Sequence, residues 1–322
     1  MVCRRAMLIA GPNLTIDRTA RIAELRPGEV LRLERVVVTP GGKGLNVARA
    51  ARALAAPALL VGFVPGATGR AGAALIEREQ IALRAVPCAG ELRSTAILIE
   101  HGGRTTVLNE PGPSLAPEDW SAFEAAVAGA LDDHGVLVCS GSVPPGSPDD
   151  AYARLARLAA GAGRPCVVDA AGGWLAQALA ARPDVVCPNL AEAEAVLGDE
   201  RCGQPVESAP DARPRAQAAA AQLVARGACA ALVTADAAGA ALAAADRPPV
   251  WLPAPPIATL RNPIGAGDVL ASALAAALER GSPLLEAARH GVAAAAASVE
   301  SPTAGELDAR RASELLAAVV PA

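Results

Sequence analysis

The run Gly265-Ala266-Gly267-Asp268 passes without a break into Val269-Leu270-Ala271-Ser272-Ala273-Leu274, a segment of helix-forming residues. Two glycines flanking an alanine allow a tight turn, and the first amides of the helix behind it have no carbonyl of their own helix to donate to. Such amides, at the positive end of the helix dipole, hold a phosphate. Asp268 falls in the first turn, where a carboxylate is favoured and faces the same space. An anion cradle at Gly265, Ala266 and Gly267 beside a fixed carboxylate suits transfer of a phosphoryl group to a hydroxyl: the amides neutralise developing charge, and Asp268 receives the proton. Its pKa is expected at the ordinary carboxylate value of roughly 4, which makes it a weak base that acts mainly through position. Taken alone, the same residues are equally a glycine turn with a helix-start aspartate worth about half to one kcal/mol.

A second glycine-rich stretch, Gly41-Gly42-Lys43-Gly44-Leu45-Asn46-Val47-Ala48-Arg49, also runs into a helix. Gly41 and Gly42 let the backbone approach a ligand, Lys43 carries a charge that reaches a phosphate, and Asn46 can bond a hydroxyl one turn later. Other phosphate loops do not fit. A Walker A loop would need glycine at Val37 and Ser or Thr at Gly44, and a dinucleotide fingerprint would need glycine at Leu270. Histidines 101, 134 and 290 have no zinc spacing, and Ser142 is not in a G-x-S-x-G elbow.

These segments need a scaffold, and the chain has the material for one. It has 322 residues, 52% hydrophobic and 19% charged, enough for a sizeable core, and no domain boundary is visible. Apolar runs of strand length recur at 6–10, 58–62, 136–140, 165–169, 184–187 and 230–234. Helix-length segments lie between them at about 44–56, 68–80, 117–132, 148–162, 173–182, 212–227 and 267–280. The alternation predicts an α/β fold with a mostly parallel sheet covered on both faces, with ligands at the carboxyl ends of its strands. Residues 14–40 and 92–109 are patterned at period two instead, and predict a small separate sheet with a hairpin turned by Gly102-Gly103. Residues 199–214 are polar and proline-rich, as in a surface excursion.

Composition excludes several partners. Two Phe, three Trp and one Tyr give no stacking platform for bases, and a net charge of −4 gives no basic footprint for nucleic acid. Pro12, Asn13 and Asp17 interrupt the first apolar run too early for a signal peptide or a membrane span, and alanine-rich 292–299 reads as a buried helix. Seven scattered cysteines without a C-x-x-C pair read as reduced thiols, which places the chain in the cytoplasm.

Together the two glycine stretches resemble the signature motifs of the PfkB (ribokinase-like) family of carbohydrate kinases. Asn262-Pro263-Ile264-Gly265-Ala266-Gly267-Asp268 and Asn109-Glu110-Pro111-Gly112-Pro113 look most like its 1-phosphofructokinase and tagatose-6-phosphate kinase branch. The resemblance runs from Asp17 to about Gly305. It implies one ribokinase-like three-layer domain over residues 1–322, with a mostly parallel central sheet and a small β-sheet lid that also carries a homodimer contact. ATP and Mg2+ are the implied cofactors, with the Gly305 segment lying beside the adenine or a monovalent cation.

Residue by residue, the resemblance implies that Asp17 holds sugar hydroxyls, although Leu14 stands where the family has proline. Gly41, Gly42, Lys43 and Asn46 contact the substrate, Arg93 clamps the sugar's own phosphate, and Ser140 borders the sugar. Asn189 and Glu192 form the N-x-x-E motif, in which the carboxylate orders water around magnesium. Thr234 and Gly239 meet the nucleotide. Two departures follow: Asp236 replaces a glycine beside the polyphosphate, and Cys187 replaces a lysine common in relatives. The expected activity is ATP-dependent phosphorylation of a ketohexose phosphate, fructose 1-phosphate to fructose 1,6-bisphosphate. The alternatives are tagatose 6-phosphate, fructose 6-phosphate, or an unphosphorylated sugar or nucleoside. A non-catalytic sugar-phosphate or nucleotide sensor is the rival that Asp236 and Cys187 motivate and that Asp268 and Glu192 oppose.

Overall fold

Successive side chains of a strand point to opposite faces, and in this chain both sets are apolar, so the strands need cover on both sides. The computed structural model describes residues 6–198, 212–245 and 247–322. Along these the chain runs β1 (Ala6–Ala10), β2 (Thr15–Ile22), β3 (Arg35–Gly41), α1 (Lys43–Ala53), β4 (Ala58–Phe63), α2 (Gly66–Arg78) and β5 (Ala82–Val86). There follow β6 (Ser94–Glu100), β7 (Thr105–Asn109), α3 (Pro117–Leu131), β8 (His134–Ser140), α4 (Ala151–Gly161), β9 (Cys166–Asp169) and α5 (Gly172–Leu179). Next come β10 (Val185–Val186), α6 (Leu190–Leu197), α7 (Ala212–Ala225), β11 (Ala230–Thr234), β12 (Gly239–Ala244) and β13 (Arg247–Pro253). Three helices close the chain: α8 (Ala266–Glu279), α9 (Leu284–Ser298) and α10 (Ala309–Leu316).

The large sheet has the order β13-β12-β11-β10-β9-β8-β1-β4-β5, parallel except where β12 pairs with β11 and β13. Met7, Ile9, Val136, Val138 and Val167 enter the core under α1, α8 and α9. Their neighbours Leu8, Leu137, Cys139 and Val168 enter the core under α3 to α7. Three layers result. Much of the small aromatic complement is used in that second core, where Phe63 and Phe123 stack at 5.0 Å, Trp120 and Phe123 at 5.2 Å, and Tyr152 donates to the Gly141 carbonyl at 2.9 Å.

The smaller sheet, β3-β2-β6-β7, is built from the two segments patterned at period two. Its β6–β7 hairpin pairs Ile99 with Thr105 across a turn in which Gly103 has a φ of 86°. Strand and helix ends fall within a few residues of the sequence expectation. The strands that periodicity misses are β5, β12 and β13. In β12 the sequence Gly-Ala-Ala-Leu-Ala-Ala has little strand preference, and pairing on both sides decides its conformation. Of the expected excursion 199–214, residues 199–211 lie outside the described residues, and Ala212-Arg213-Pro214 is corrected to the first turn of α7.

This topology collects polar residues at one edge. β1 lies between β4 and β8, so the order of strands reverses there, and the ligand crevice of such sheets opens at that point. Ser140 and Asp169 are register partners at the carboxyl ends of β8 and β9. Above β1, Gly44 of α1 lies against Gly11: a Cβ on Gly44 would come within 2.6 Å of the Gly11 Cα. Gly44→Ala should therefore destabilise the fold by about 1–3 kcal/mol, because neither backbone can yield cheaply. Urea denaturation measures it, and an unchanged midpoint would show that α1 is free to move off the sheet.

Candidate active site

The two glycine stretches begin α1 and α8, and these helices pack side by side, with Ser272 donating to the Val47 carbonyl at 2.9 Å. The turn before α8 is tightly pinned. The amides of Arg261 and Asn262 both donate to Val299, and the Asn262 side chain accepts from the Ile264 amide at 3.0 Å while donating to Pro302 at 3.2 Å. Gly265 caps the helix in the left-handed region at φ 86°. The Ala266 amide donates to Pro263 and that of Val269 to Gly265. Among the described residues this leaves the amides of Gly267 and Asp268 as the unspent donors of the first turn, with open space where a Gly267 side chain would be. Of the cradle expected at Gly265, Ala266 and Gly267, the Ala266 amide is already bonded to Pro263, and the amides left to meet an anion are those of Gly267 and Asp268.

Asp268 is 3% exposed and accepts a hydrogen bond from the Asn46 amide nitrogen at 2.8 Å. Beside it lies Asp169, a residue the sequence motifs did not single out. Its oxygens are 3.3 and 3.4 Å from the Lys43 ammonium, and it accepts from the Ser140 hydroxyl at 3.2 Å. Lys43 also stands 4.0 Å from Glu192. Burial pushes the Asp268 carboxyl up to about 8, and the Asp169 carboxylate adds to the shift; Lys43 and Asn46 oppose it. The ordinary value near 4 expected from sequence is thus corrected, because desolvation outweighs the neighbouring cation. The Asp169 carboxylate holds Lys43 above the usual lysine range against burial, with Asp268 and Glu192 acting in the same sense. Three carboxylates around one ammonium make a centre suited to a cationic or phosphoryl guest.

On the lid side, Asp17 of β2 lies directly over Gly41, where a Cβ would come within 2.1 Å of its carboxylate; only glycine permits this approach. Burial raises the Asp17 carboxyl, while Arg49, Arg93 and the hydroxyls of Thr95 and Thr15 lower it. Gly42 has a φ of 108° and turns the chain from the lid into α1. Arg93 precedes β6 and donates to the carbonyls of Glu110 at 3.2 Å and Asn13 at 3.1 Å. Lys43 and Arg93 line one cleft of about 820 Å³ with Asn13, Ser140, Trp174 and Glu192. They have different partners, however: Lys43 faces the carboxylates of the sheet edge, and Arg93 is held by the lid side. Buried polar atoms without a hydrogen-bond partner among the described residues are Asn13 Oδ1, Asp17 Oδ1, Arg93 Nε and Ser147 Oγ. Asn13, Arg93 and Ser147 line the cleft and Asp17 lies on the small sheet over Gly41, polar groups of the kind a polyhydroxy ligand would meet.

Comparison with known proteins agrees with this geometry. The model of the pfkB family of carbohydrate kinases matches residues 13–310. The chain belongs to that family. It is 28% identical over 293 residues to the ATP-dependent 6-phosphofructokinase isozyme 2 of Mycobacterium tuberculosis, covering 90% of this chain and 83% of that protein. Phosphofructokinase-2 from Escherichia coli, in a structure with potassium, aligns at a TM-score of 0.86 and 26% identity over 98% of this chain and 99% of that one. A possible 1-phosphofructokinase from Thermotoga maritima aligns at 0.82 and 23% identity over 98% and 99%, which shows the shared fold.

The residues of this carbohydrate kinase that the sequence resemblance assigns to the nucleotide are held by their own caps. Asn189 accepts from the Glu192 amide at 2.8 Å and Glu192 Oε2 from the Asn189 amide at 3.0 Å, a reciprocal capping box that leaves Oε1 turned to Lys43. Burial raises the Glu192 carboxyl, against Lys43 and the Asn189 amide. Thr234 pairs with Asn189 in a parallel bridge. Asp236 is exposed and has a φ of 46°, the left-handed region in which aspartate is one of the tolerated substitutes for glycine. Gly239 at φ 133° has no room for a Cβ, which would meet the Leu252 carbonyl at 2.3 Å. Cys187 is buried, and its thiol is pushed up by desolvation and then by Asp169, so it is a neutral group where many relatives have a cation. Among the described residues no three His, Cys, Asp or Glu side chains converge on a metal. Glu192 is a carboxylate that would suit magnesium, which keeps its waters and takes few protein ligands, whereas Asp169 is committed to Lys43 and Ser140.

The Asp268 carboxyl ionises at roughly 4 in an unfolded chain and at about 8 in the fold. The fold therefore binds this proton more tightly, and its stability falls as pH rises from about 4 to about 8. Asp268→Asn removes that loss. Thermal melting should show the variant more stable than the parent, by a margin that widens between pH 5 and pH 8; a constant margin would mean the carboxyl titrates normally.

Proposed function

We propose that this kinase transfers the terminal phosphoryl group of ATP to a hydroxyl of a ketohexose phosphate, with fructose 1-phosphate giving fructose 1,6-bisphosphate as its reaction. The observation that carries the reading is a buried carboxyl, Asp268, beside two unspent helix amides and under the influence of Lys43, which lines one cleft together with a half-satisfied arginine, Arg93. Asp268 takes the proton of the attacking hydroxyl, and a pKa of about 8 suits that task far better than an ordinary carboxylate does. The amides of Gly267 and Asp268 stabilise charge on the group in transfer. Lys43, drawn to Asp169 and Glu192, serves that same group. Arg93 holds the sugar's own phosphate through the guanidinium fork. Asp17 and Asn46 take sugar hydroxyls. Glu192 would hold magnesium through water, and the ion would supply neutralisation of polyphosphate charge.

The choice of sugar rests on chemistry and motif. A fructofuranose carries a hydroxymethyl group on each side of its ring oxygen, so the 1-phosphate and the 6-phosphate present a phosphate at one end and a hydroxyl at the other, and both yield the same bisphosphate. The relatives named above include a 6-phosphofructokinase and a possible 1-phosphofructokinase, whereas Asn262–Asp268 and Asn109–Pro113 resemble the 1-phosphofructokinase and tagatose-6-phosphate kinase pattern. A monovalent cation belongs beside the 301–305 segment, by analogy with the potassium complex. Exposed Val36, Val37, Val38, Val107 and Leu108 on β3 and β7 give the lid an apolar surface that a second copy covers in a homodimer. No helix of the described residues is long and apolar enough to cross a membrane. Free thiols at 88, 139, 166, 187 and 229 suit the reducing cytoplasm.

A coupled assay of ADP release over fructose 1-phosphate, fructose 6-phosphate, tagatose 6-phosphate and free sugars tests the assignment; turnover confined to unphosphorylated sugars would overturn it. Asp268→Asn should lower turnover by about two to four orders of magnitude and keep sugar-phosphate binding. A variant with most of its turnover would remove Asp268 from the mechanism. Arg93→Ala should raise KM for the sugar phosphate far more than for the free sugar, and equal effects would dissolve the clamp.

A further inference from the structure

One buried cation near the centre does not face it. Arg49 of α1 is 4% exposed, and its guanidinium forks onto Glu79, just past the end of α2, with Nε to Oε2 and Nη2 to Oε1 both at 2.7 Å. Nη2 also donates to the Pro40 carbonyl at 2.7 Å. Nη1 donates to Asn46 Oδ1 at 3.1 Å. From its other end, Asn46 Nδ2 donates to Asp268 at 2.8 Å.

A side-chain amide has one accepting end and one donating end, and half a turn about its last bond exchanges them. A guanidinium has only donors, so once it occupies Oδ1 the donating end must face Asp268. That sense favours the ionised carboxylate. The opposite sense would let Oδ1 accept a hydrogen bond from the acid form and would favour the proton staying on. Arginine is a long side chain with much rotamer freedom, and the two-point hold by Glu79 together with the Pro40 carbonyl removes it. The groups facing Asp268 directly are Asp169 from the end of β9 and Lys43 and Asn46 from α1, with Glu192 of α6 acting on Lys43.

We infer that Arg49, held by Glu79, is a positioning residue: it fixes the sense of the Asn46 amide, and through that amide it keeps Asp268 ready to accept a proton. This rests on the assignment of Asp268 as the base. The same guanidinium bears on Asp17 and grips the lid strand just before Gly41, so one side chain ties the sugar end of the site to the base.

The inference is tested on the protein alone by carbon-13 NMR titration of the aspartate side-chain carboxyls, taking as the Asp268 signal the one that Asp268→Asn abolishes. Arg49→Met should move its midpoint upward by about one pH unit. In an Asn46→Ala background the same change should leave the midpoint where Asn46→Ala alone puts it, since the relay is already cut. Glu79→Gln keeps the arginine charge, and should give a smaller shift in the same direction even if Arg49→Met folds poorly. An equal shift in both backgrounds would mean that Arg49 acts by charge at a distance, and no shift in either Arg49→Met or Glu79→Gln would mean that Asn46 needs no support; each overturns the inference. Because the readout needs no substrate, it fails separately from the base assignment, which the turnover of Asp268→Asn decides.

Discussion

A carboxyl without solvent is the constraint around which this site is arranged. Asp268 is 3% exposed at the start of α8, and desolvation would keep it protonated well into the neutral range. To act as the proposed base it must be able to take a proton, so the surroundings must lower the cost of the charged form without flooding the site with water. They do so with the ammonium of Lys43 and a donor from Asn46. Asp169 works the other way: it raises the proton affinity of Asp268 while anchoring Lys43. The balance leaves a group whose proton is held neither too weakly nor too strongly for transfer near neutral pH.

The lid side obeys a different logic. There, among the described residues, buried polar atoms of Asn13, Asp17 and Arg93 lack partners, and Asp17 lies close over Gly41, which has no side chain to oppose it. Hydrogen-bonding capacity left unused at a buried seam is costly, and such sites are retained where a ligand repays them. The sheet edge is thus preassembled for charge, and the seam under the lid is left incomplete until a polar molecule enters.

Much of this was legible in the chain because it is encoded locally. Gly265, Gly267 and Asp268 stand together, as do Gly41, Gly42, Lys43 and Asn46, and the period of two in residues 14–40 and 92–109 sets the small sheet apart. What escaped depends on distance. Asp169 sits in a five-residue run that reads only as a buried strand, and its importance comes from pairing beside Ser140 and facing Lys43, 126 residues away. Its position at the carboxyl end of a parallel strand was the available signal. The raised pKa of Asp268 was out of reach because it depends on desolvation, which no local spacing reports. Lys43 and Arg93, two cations that sequence alone cannot tell apart by target, have different partners in the fold: Lys43 meets Asp169, and Arg93 meets the carbonyls of Glu110 and Asn13. Asp236 looked anomalous by charge, yet its left-handed backbone explains why a glycine position accepts an aspartate at all.

The alanine richness of the closing helices has a structural consequence at Asp268. Ala271, Ala273, Ala275, Ala276 and Ala277 of α8 are buried against α1, the sheet and an α9 that contributes Ala287, Ala288, Ala293, Ala294 and Ala297. Small side chains let helices approach closely. At Gly291 of α9 even a methyl group would lie 3.1 Å from the Leu270 carbonyl. Alanine also loses no rotamer entropy on burial, so a helix packed this way is fixed by its backbone rather than by adaptable side chains. The amides of Gly267 and Asp268 are part of that backbone, and their aim is set by how tightly α8 is clamped between α1 and α9. Larger residues could fill the same volume, but they would hold α8 further off and leave its N-terminus free to tilt. Preorganised dipoles are useful in phosphoryl transfer only if they do not reorient during the reaction. A close-packed alanine interface meets that requirement, and it does so at the one helix whose first turn carries both the cradle and the base.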